Sequence, residues 1–180
     1  MRKLHLQAEP RKGCTLPPSA PDVSWLSQGL SENQEEEKDK AVALILMPAG
    51  TNRDLVSAAM EKSGYHVEYS ERVNEAMQWL KSSTYSVVVL HSGFEKSELP
   101  AESKVYNYLA GLPMERRRHI FLILAGPAYH TYYKLEALSL SANLVVNDAD
   151  LEHLSAIFKI SYRDYVELFG PLLQALNANG

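Results

Sequence analysis

The chain has 180 residues, one cysteine and a net charge of −4, from 18 basic and 22 acidic side chains. That length suits one domain with room for a tail, and an apolar content of 46% is enough for a core. The lone Cys14 excludes a disulfide framework and a multi-cysteine zinc site, mild acidity without a basic face argues against nucleic acid as a partner, and the longest apolar run, residues 41–49, is far too short for a membrane span. The opening MRKLHLQAEPRKG lacks the apolar centre of a signal peptide, so a cytoplasmic protein is expected.

Residues 1–40 read as a flexible tail or linker. They hold four of the nine prolines, show no apolar period, and end in the charge run Gln34 to Lys40. Such a segment buries too little to offset its ordering entropy. One cluster interrupts it, Val23, Trp25, Leu26 and Leu30. It reads as a patch packing loosely on the domain or as a short docking motif around Trp25 and Leu26.

From residue 41 the pattern becomes regular. Ala41 to Met47 is a continuous apolar run, the mark of a strand covered on both faces. A helix capped by Thr51 or Asn52 runs to about Lys62, and Gly64 ends it. Residues 65–69 alternate as a more exposed strand. Ser70 caps a helix whose apolar face is Val73, Ala76, Met77 and Leu80. Residues 86–91 form a third strand, and a polar loop over 91–100 leads to a helix with Val105, Tyr108, Leu109 and Leu112 on one face. Residues 120–124 form the fourth strand, closed by Gly126-Pro127, and a short helix covers about Thr131 to Leu140. Residues 143–147 form the fifth strand, and Asp148 or Asp150 caps a last helix that passes residue 165. Five strand-helix units predict an α/β, doubly wound parallel sheet of order 2-1-3-4-5 in a domain over 41–180.

Several local features carry a resemblance. Glu61 to Val67 is similar to a "GY-V" turn into strand two, Asn74 to Leu80 to an "EAL..L" helix, Tyr85 to Leu90 to a strand leading to a phosphoacceptor, and Ser141 to Asn143 to a "GA" turn before strand five. In this order they make residues 41–160 resemble the response-regulator receiver, or CheY-like, family. The resemblance implies a site of five positions at the carboxyl edge of the sheet. Two acidic residues after strand one and an Asp after strand three hold Mg²⁺, that Asp takes the phosphoryl group, and a Thr or Ser after strand four and a Lys after strand five contact it. Here the acidic pair falls on Met47, Pro48 or Ala49, the phosphoacceptor on His91, the hydroxyl on Ala125 and the Lys on Asn147 or Asp148. Magnesium needs oxygen ligands, and the strand-one position has none. The resemblance thus implies a degenerate pseudo-receiver, a non-catalytic signalling module not phosphorylated at His91, with no cofactor or metal and with another protein as its partner.

A rival reading keeps chemistry at the same edge. His91 and Asp148 could make a base or half a metal site, and the Gly50 to Arg53 turn could hold an anion in a flavodoxin-like, small-ligand or enzymatic domain. No nucleophile motif or glycine-rich loop accompanies them. Arg116-Arg117-Arg118-His119 reads as a solvated helix end or loop that could dock an acidic partner. His130, alone among Tyr129, Tyr132 and Tyr133, lacks the companions of a metal ligand. By the resemblance, these tyrosines and the last helix lie on a partner or dimer surface. Leu151, Leu154, Phe158, Tyr162, Tyr165, Phe169, Leu172 and Leu176 form a near-heptad stripe, with Gly170-Pro171 expected to bend or restart the helix. The part beyond Tyr162 either folds back onto the domain or forms a homodimer or partner contact over 162–176.

Overall fold

The computed structural model describes residues 41–95 and 102–177, with side chains placed as far as residue 170. All of these belong to the unit that begins at Asp39. The expectations for the tail, with Trp25 and Leu26, lie outside the described residues, as do the side chains of Leu172 and Leu176.

Five strands form: β1 (Val42–Leu46), β2 (His66–Tyr69), β3 (Val87–His91), β4 (Phe121–Ala125) and β5 (Leu144–Val146). All neighbours pair parallel, in the order β2-β1-β3-β4-β5, as the alternation of elements predicts. The helices are α1 (Thr51–Lys62), α2 (Val73–Ser82), α3 (Lys104–Ala110), α4 (Met114–Arg117), α5 (Lys134–Ser139) and α6 (Leu154–Asn177). A 3-10 turn over Asp148–His153 leads into the last of them.

The continuous apolar runs split by parity across the sheet. Ala43, Ile45, Val87, Val89, Phe121 and Ile123 face α1 and α6, packing on Val56, Met60, Leu154 and Phe158. Leu44, Leu46, Val88, Leu90, Leu122 and Leu124 face the other layer, against Ala76, Leu80, Val105, Leu109 and Ala137. Phe121 is the centre of the first layer. Its ring meets Phe158 at 5.4 Å, Tyr162 at 5.6 Å and Tyr165 at 5.4 Å between centroids. Tyr65 extends this column at one end and Phe169, 5.2 Å from Tyr165, at the other.

Some local expectations are corrected. Gly50, not Thr51 or Asn52, precedes α1 and makes no side-chain cap. Arg72 is the residue before α2, while Ser70 acts behind it, its hydroxyl accepting from Arg72 N–H and donating to Glu75. Asn147, rather than Asp148 or Asp150, caps the 3-10 turn, its side chain accepting from Ala149 N–H at 3.0 Å. The helix expected from Thr131 begins only at Lys134, because Tyr132 is held at φ 60° with its N–H on Val145 O. α6 is assigned helical through Gly170-Pro171 to Asn177, with no restart.

Replacing Phe121 with Ala should cost about 3–5 kcal/mol, because three rings lose their common neighbour, whereas Leu138→Ala on exposed α5 should stay within about 0.5 kcal/mol; urea midpoints of the two variants check this. Tyr85 gives a second test. Its hydroxyl donates to Glu68 Oε2 at 2.8 Å, and burial, then that carboxylate, pushes the phenol up to about 12. The fold favours the neutral phenol, so this contribution is complete below about pH 10 and is lost as pH rises towards 12. Urea midpoints measured across that window should fall, and fall less in Tyr85→Phe.

Candidate functional site

Strand register builds the carboxyl edge. Leu46 pairs with Leu90, Leu90 with Leu124 and Leu124 with Val145. The next residues along, Met47, His91, Ala125 and Val146, therefore form one row, with Asn147 and Asp148 just beyond it. The sequence-predicted positions thus come together, but their side chains do different things. Met47 points into the core at 1% exposure, Ala125 is fully buried, and Pro48 is exposed.

His91 is the last residue of β3, and the chain turns sharply after it. Phe94 N–H bonds to His91 O at 3.0 Å, and Gly93 N–H donates to His91 Nδ1 at 2.9 Å. The other ring nitrogen, Nε2, lies 3.0 Å from Asp148 Oδ1. Because Nδ1 accepts, the neutral ring carries its proton on Nε2 and donates it to Asp148. Both nitrogens are thereby engaged, in a ring only 12% exposed. The pair ties the end of β3 to the segment after β5.

Asn147 closes the edge further. Its side-chain NH₂ donates to Pro127 O at 2.9 Å and Tyr129 O at 2.8 Å. Its backbone N–H donates to Thr131 Oγ1, whose hydroxyl donates in turn to Asp150. At one of the two positions where the resemblance places a Lys, an amide clamps the loop between β4 and α5. Gly126, at the start of that loop, is buried against Ser92, and a methyl group there would lie inside contact distance of the Ser92 hydroxyl.

Sequence reasoning missed Glu95. Its carboxylate accepts from Lys104 N–H at 2.7 Å, Val105 N–H at 2.8 Å and Ser103 Oγ at 2.9 Å, at the start of α3. Ser103 itself caps that helix through Tyr106 N–H. No local pattern joins a Glu to a helix start eight residues on, so only the folded loop reveals the pairing. Between Glu95, Ser103, Tyr106, Tyr129 and His91 lies a cavity of about 20 Å³, room for about one water.

The remaining candidates separate. Among the described residues no three His, Cys, Asp or Glu side chains gather as metal ligands. At the Gly50 turn, Arg53 is taken by Glu71 at 2.7 Å and lies over the Tyr69 ring at 4.7 Å. His130 is exposed, and among the described residues its ring meets Glu136, at 3.4 Å, and the edge of Tyr133.

The residues expected on a partner surface fall in different places. Tyr129 is buried in the core beside His91, not in a helix face. Tyr132 donates its hydroxyl to Asp164 Oδ2 at 2.8 Å, the oxygen that also receives Lys134 Nζ at 2.7 Å. That ammonium, with the Tyr132 hydroxyl second, holds the Asp164 carboxyl below its ordinary value. Tyr162 and Tyr165 turn inward onto Phe121, and the Tyr165 hydroxyl donates to Arg118 O. Tyr133 stays half exposed. Arg117 is partly buried: its guanidinium donates to Ile120 O at 2.7 Å, to Asn143 Oδ1 and to Ser141 O, and burial lowers it from its ordinary value. Beside it α4, α5 and α6 enclose a groove of about 900 Å³ whose apolar lining includes Leu112, Met114, Leu138, Leu168 and Phe169.

No protein-family model matches the sequence, and no curated protein matches it. Solved structures do. An orphan response regulator of H. pylori is 9% identical with a TM-score of 0.49, over 67% of this chain and 95% of that one. The CheY-like protein tadZ from Pseudomonas aeruginosa PAO1 is 16% identical with a TM-score of 0.47, over 67% and 98%. A response regulator in red light signaling of R. palustris is 12% identical with a TM-score of 0.46, over 66% and 91%.

The bond between His91 and Asp148 is testable by stability. Asp148→Asn keeps an oxygen acceptor for Nε2–H and should cost little, whereas Asp148→Leu strands a mostly buried donor and should cost about 1–3 kcal/mol. Equal urea midpoints for the two variants would mean that the bond does not hold the edge together.

Proposed function

We propose that this chain is a pseudo-receiver: a domain of receiver fold that binds another protein in cytoplasmic signalling or regulation and performs no phosphoryl chemistry of its own. The observation that carries the reading is the closed carboxyl edge. Forming an acyl phosphate needs a free carboxylate nucleophile and groups that neutralise the phosphoryl charge. In their places stand Met47, Pro48 or Ala49, none of them acidic, a buried Ala125, and Asn147 or Asp148, the first committed to two carbonyls and the second bonded to His91. His91 is no substitute, because attack by either nitrogen requires breaking its bond to Gly93 or to Asp148. The same closure argues against the small-ligand reading, since the space beside His91 holds about one water.

What the domain offers instead is surface. Met114, Leu135, Leu138 and Leu168 are each more than 60% exposed on α4, α5 and α6. An apolar patch of this kind on a charged, water-soluble surface marks a protein partner better than it marks nucleic acid or a membrane. Among the described residues no helix is long and apolar enough to cross a bilayer.

The test is incubation of the intact chain with a small-molecule phosphodonor and Mg²⁺, read by intact mass. No phosphoryl adduct is expected. An adduct that disappears in His91→Ala would overturn the reading and restore chemistry to the edge.

A further inference from the structure

We infer that the free edge of β2 pairs with β2 of a second copy of the chain, antiparallel about a two-fold axis, and so joins two sheets into one. This surface lies at the end of the sheet away from β5 and from the apolar flank, and it goes beyond the function proposed above. β2 stands last in the strand order, with β1 as its partner. One bond fixes which of its backbone groups are taken. His66 N–H donates to Ala41 O, so the alternation of a strand commits the N–H and C=O of His66 and Glu68 to β1 and turns those of Tyr65, Val67 and Tyr69 outward. Among the described residues no backbone bond reaches Val67 from outside, nor the Tyr69 N–H. The other edge of the sheet is covered differently: Val145 O on β5 receives Tyr132 N–H from the loop before α5.

The segment Tyr65-His66-Val67-Glu68-Tyr69 is complementary to itself when reversed. With the axis at Val67, that residue faces its own copy, His66 faces Glu68 of the second copy, and Tyr65 faces Tyr69. The two Val67 residues exchange a pair of N–H to C=O bonds, and each Tyr69 N–H reaches Tyr65 O across the axis. Tyr65 N–H stays with Met60 O, 3.1 Å away in its own chain. His66 and Glu68 fall where facing residues share no backbone bond and side chains come closest. The Tyr85 hydroxyl takes Oε2 of Glu68, and among the described residues Glu68 forms no ion pair, so Oε1 can accept from an imidazole. On the other face Tyr69, 55% exposed beneath the Arg53 guanidinium, would stand beside Tyr65. Charge also fixes the register. A slip by two residues sets Glu68 against Glu68 or His66 against His66. β2 has no Lys, no Pro and no bulge, devices that keep edges apart. Its four residues make a small contact, so association is reversible.

Analytical ultracentrifugation of the full chain, from micromolar to near-millimolar concentration, tests this, together with amide hydrogen exchange read by NMR. The mass should rise from monomer to dimer, and exchange at Val67 and Tyr69 should slow as it does. His66→Glu, at an exposed position, sets like charges opposite each other and should weaken association at least tenfold, whereas His66→Lys should dimerise at least as tightly as the wild type. Val67→Pro removes the outward N–H without touching the ladder to β1 and should give a monomer. Should that variant fail to fold, the pair at His66 still decides. Leu138→Glu, on the apolar flank, should leave the dimer intact. A chain that stays monomeric, a dimer indifferent to His66→Glu, a dimer abolished by Leu138→Glu, or a Val67 amide protected in the monomer would each overturn the inference. None of these outcomes bears on the closed carboxyl edge, whose own test is the phosphodonor.

Discussion

A parallel sheet has two apolar faces and cannot leave either in water, so every strand must be followed by something that returns across one of them. In this chain that demand is met from inside the strands. Alternate residues of β1, β3 and β4 supply two separate cores, one under α1 and α6 and one under α2, α3 and α5. Phe121 shows how far the demand reaches, since the last helix lays Phe158, Tyr162 and Tyr165 around its ring. Once both faces are covered, polar groups from several strands can meet only at the ends of the sheet. The carboxyl edge is such a place, and its side chains have been spent on joining loops to one another.

That use of the edge is economical in distance. His91 links the ends of β3 and β5, Asn147 links β5 to the loop after β4, and Glu95 links the loop after β3 to the start of α3. Three loops that would otherwise move separately are tied by hydrogen bonds of 2.7–3.0 Å. A site that must open for a reactant needs freedom in such loops. A surface that must present a constant shape on its flank needs the opposite, and the proposed role draws on that rigidity.

The fold was legible because its signal is redundant. Continuous runs such as Ala41 to Met47, separated at regular intervals by amphipathic stretches, admit few topologies, and the strand order follows. The positions at the carboxyl edge were legible for the same reason: a residue following a strand must lie there. What the side chains do at those positions was not legible. The Nδ1 acceptor role of His91 depends on a turn at Gly93, and the amide of Asn147 reaches carbonyls 18 and 20 residues away. The stripe along the last helix left two neighbours open, because periodicity reports that a face is apolar and not which neighbour covers it. Tyr162 and Tyr165 proved to be covered by Phe121. Arg117 misled for the converse reason: a charged run looks solvated until three oxygen acceptors are folded around one member.

The tight seam between Gly126 and Ser92 ties two positions that lie 34 residues apart in the chain. There is no room for a methyl group at 126 while the Ser92 hydroxyl keeps its present place. Across descendants of this sequence the two sites should therefore drift together: a side chain gained at one is tolerated where the other has shrunk or turned aside. A pairing of that sort would be written into the pattern of inherited substitutions as covariation, at two residues whose backbones also bond across the edge, Ser92 N–H to Ala125 O at 2.9 Å and Gly126 N–H to Val146 O at 3.1 Å.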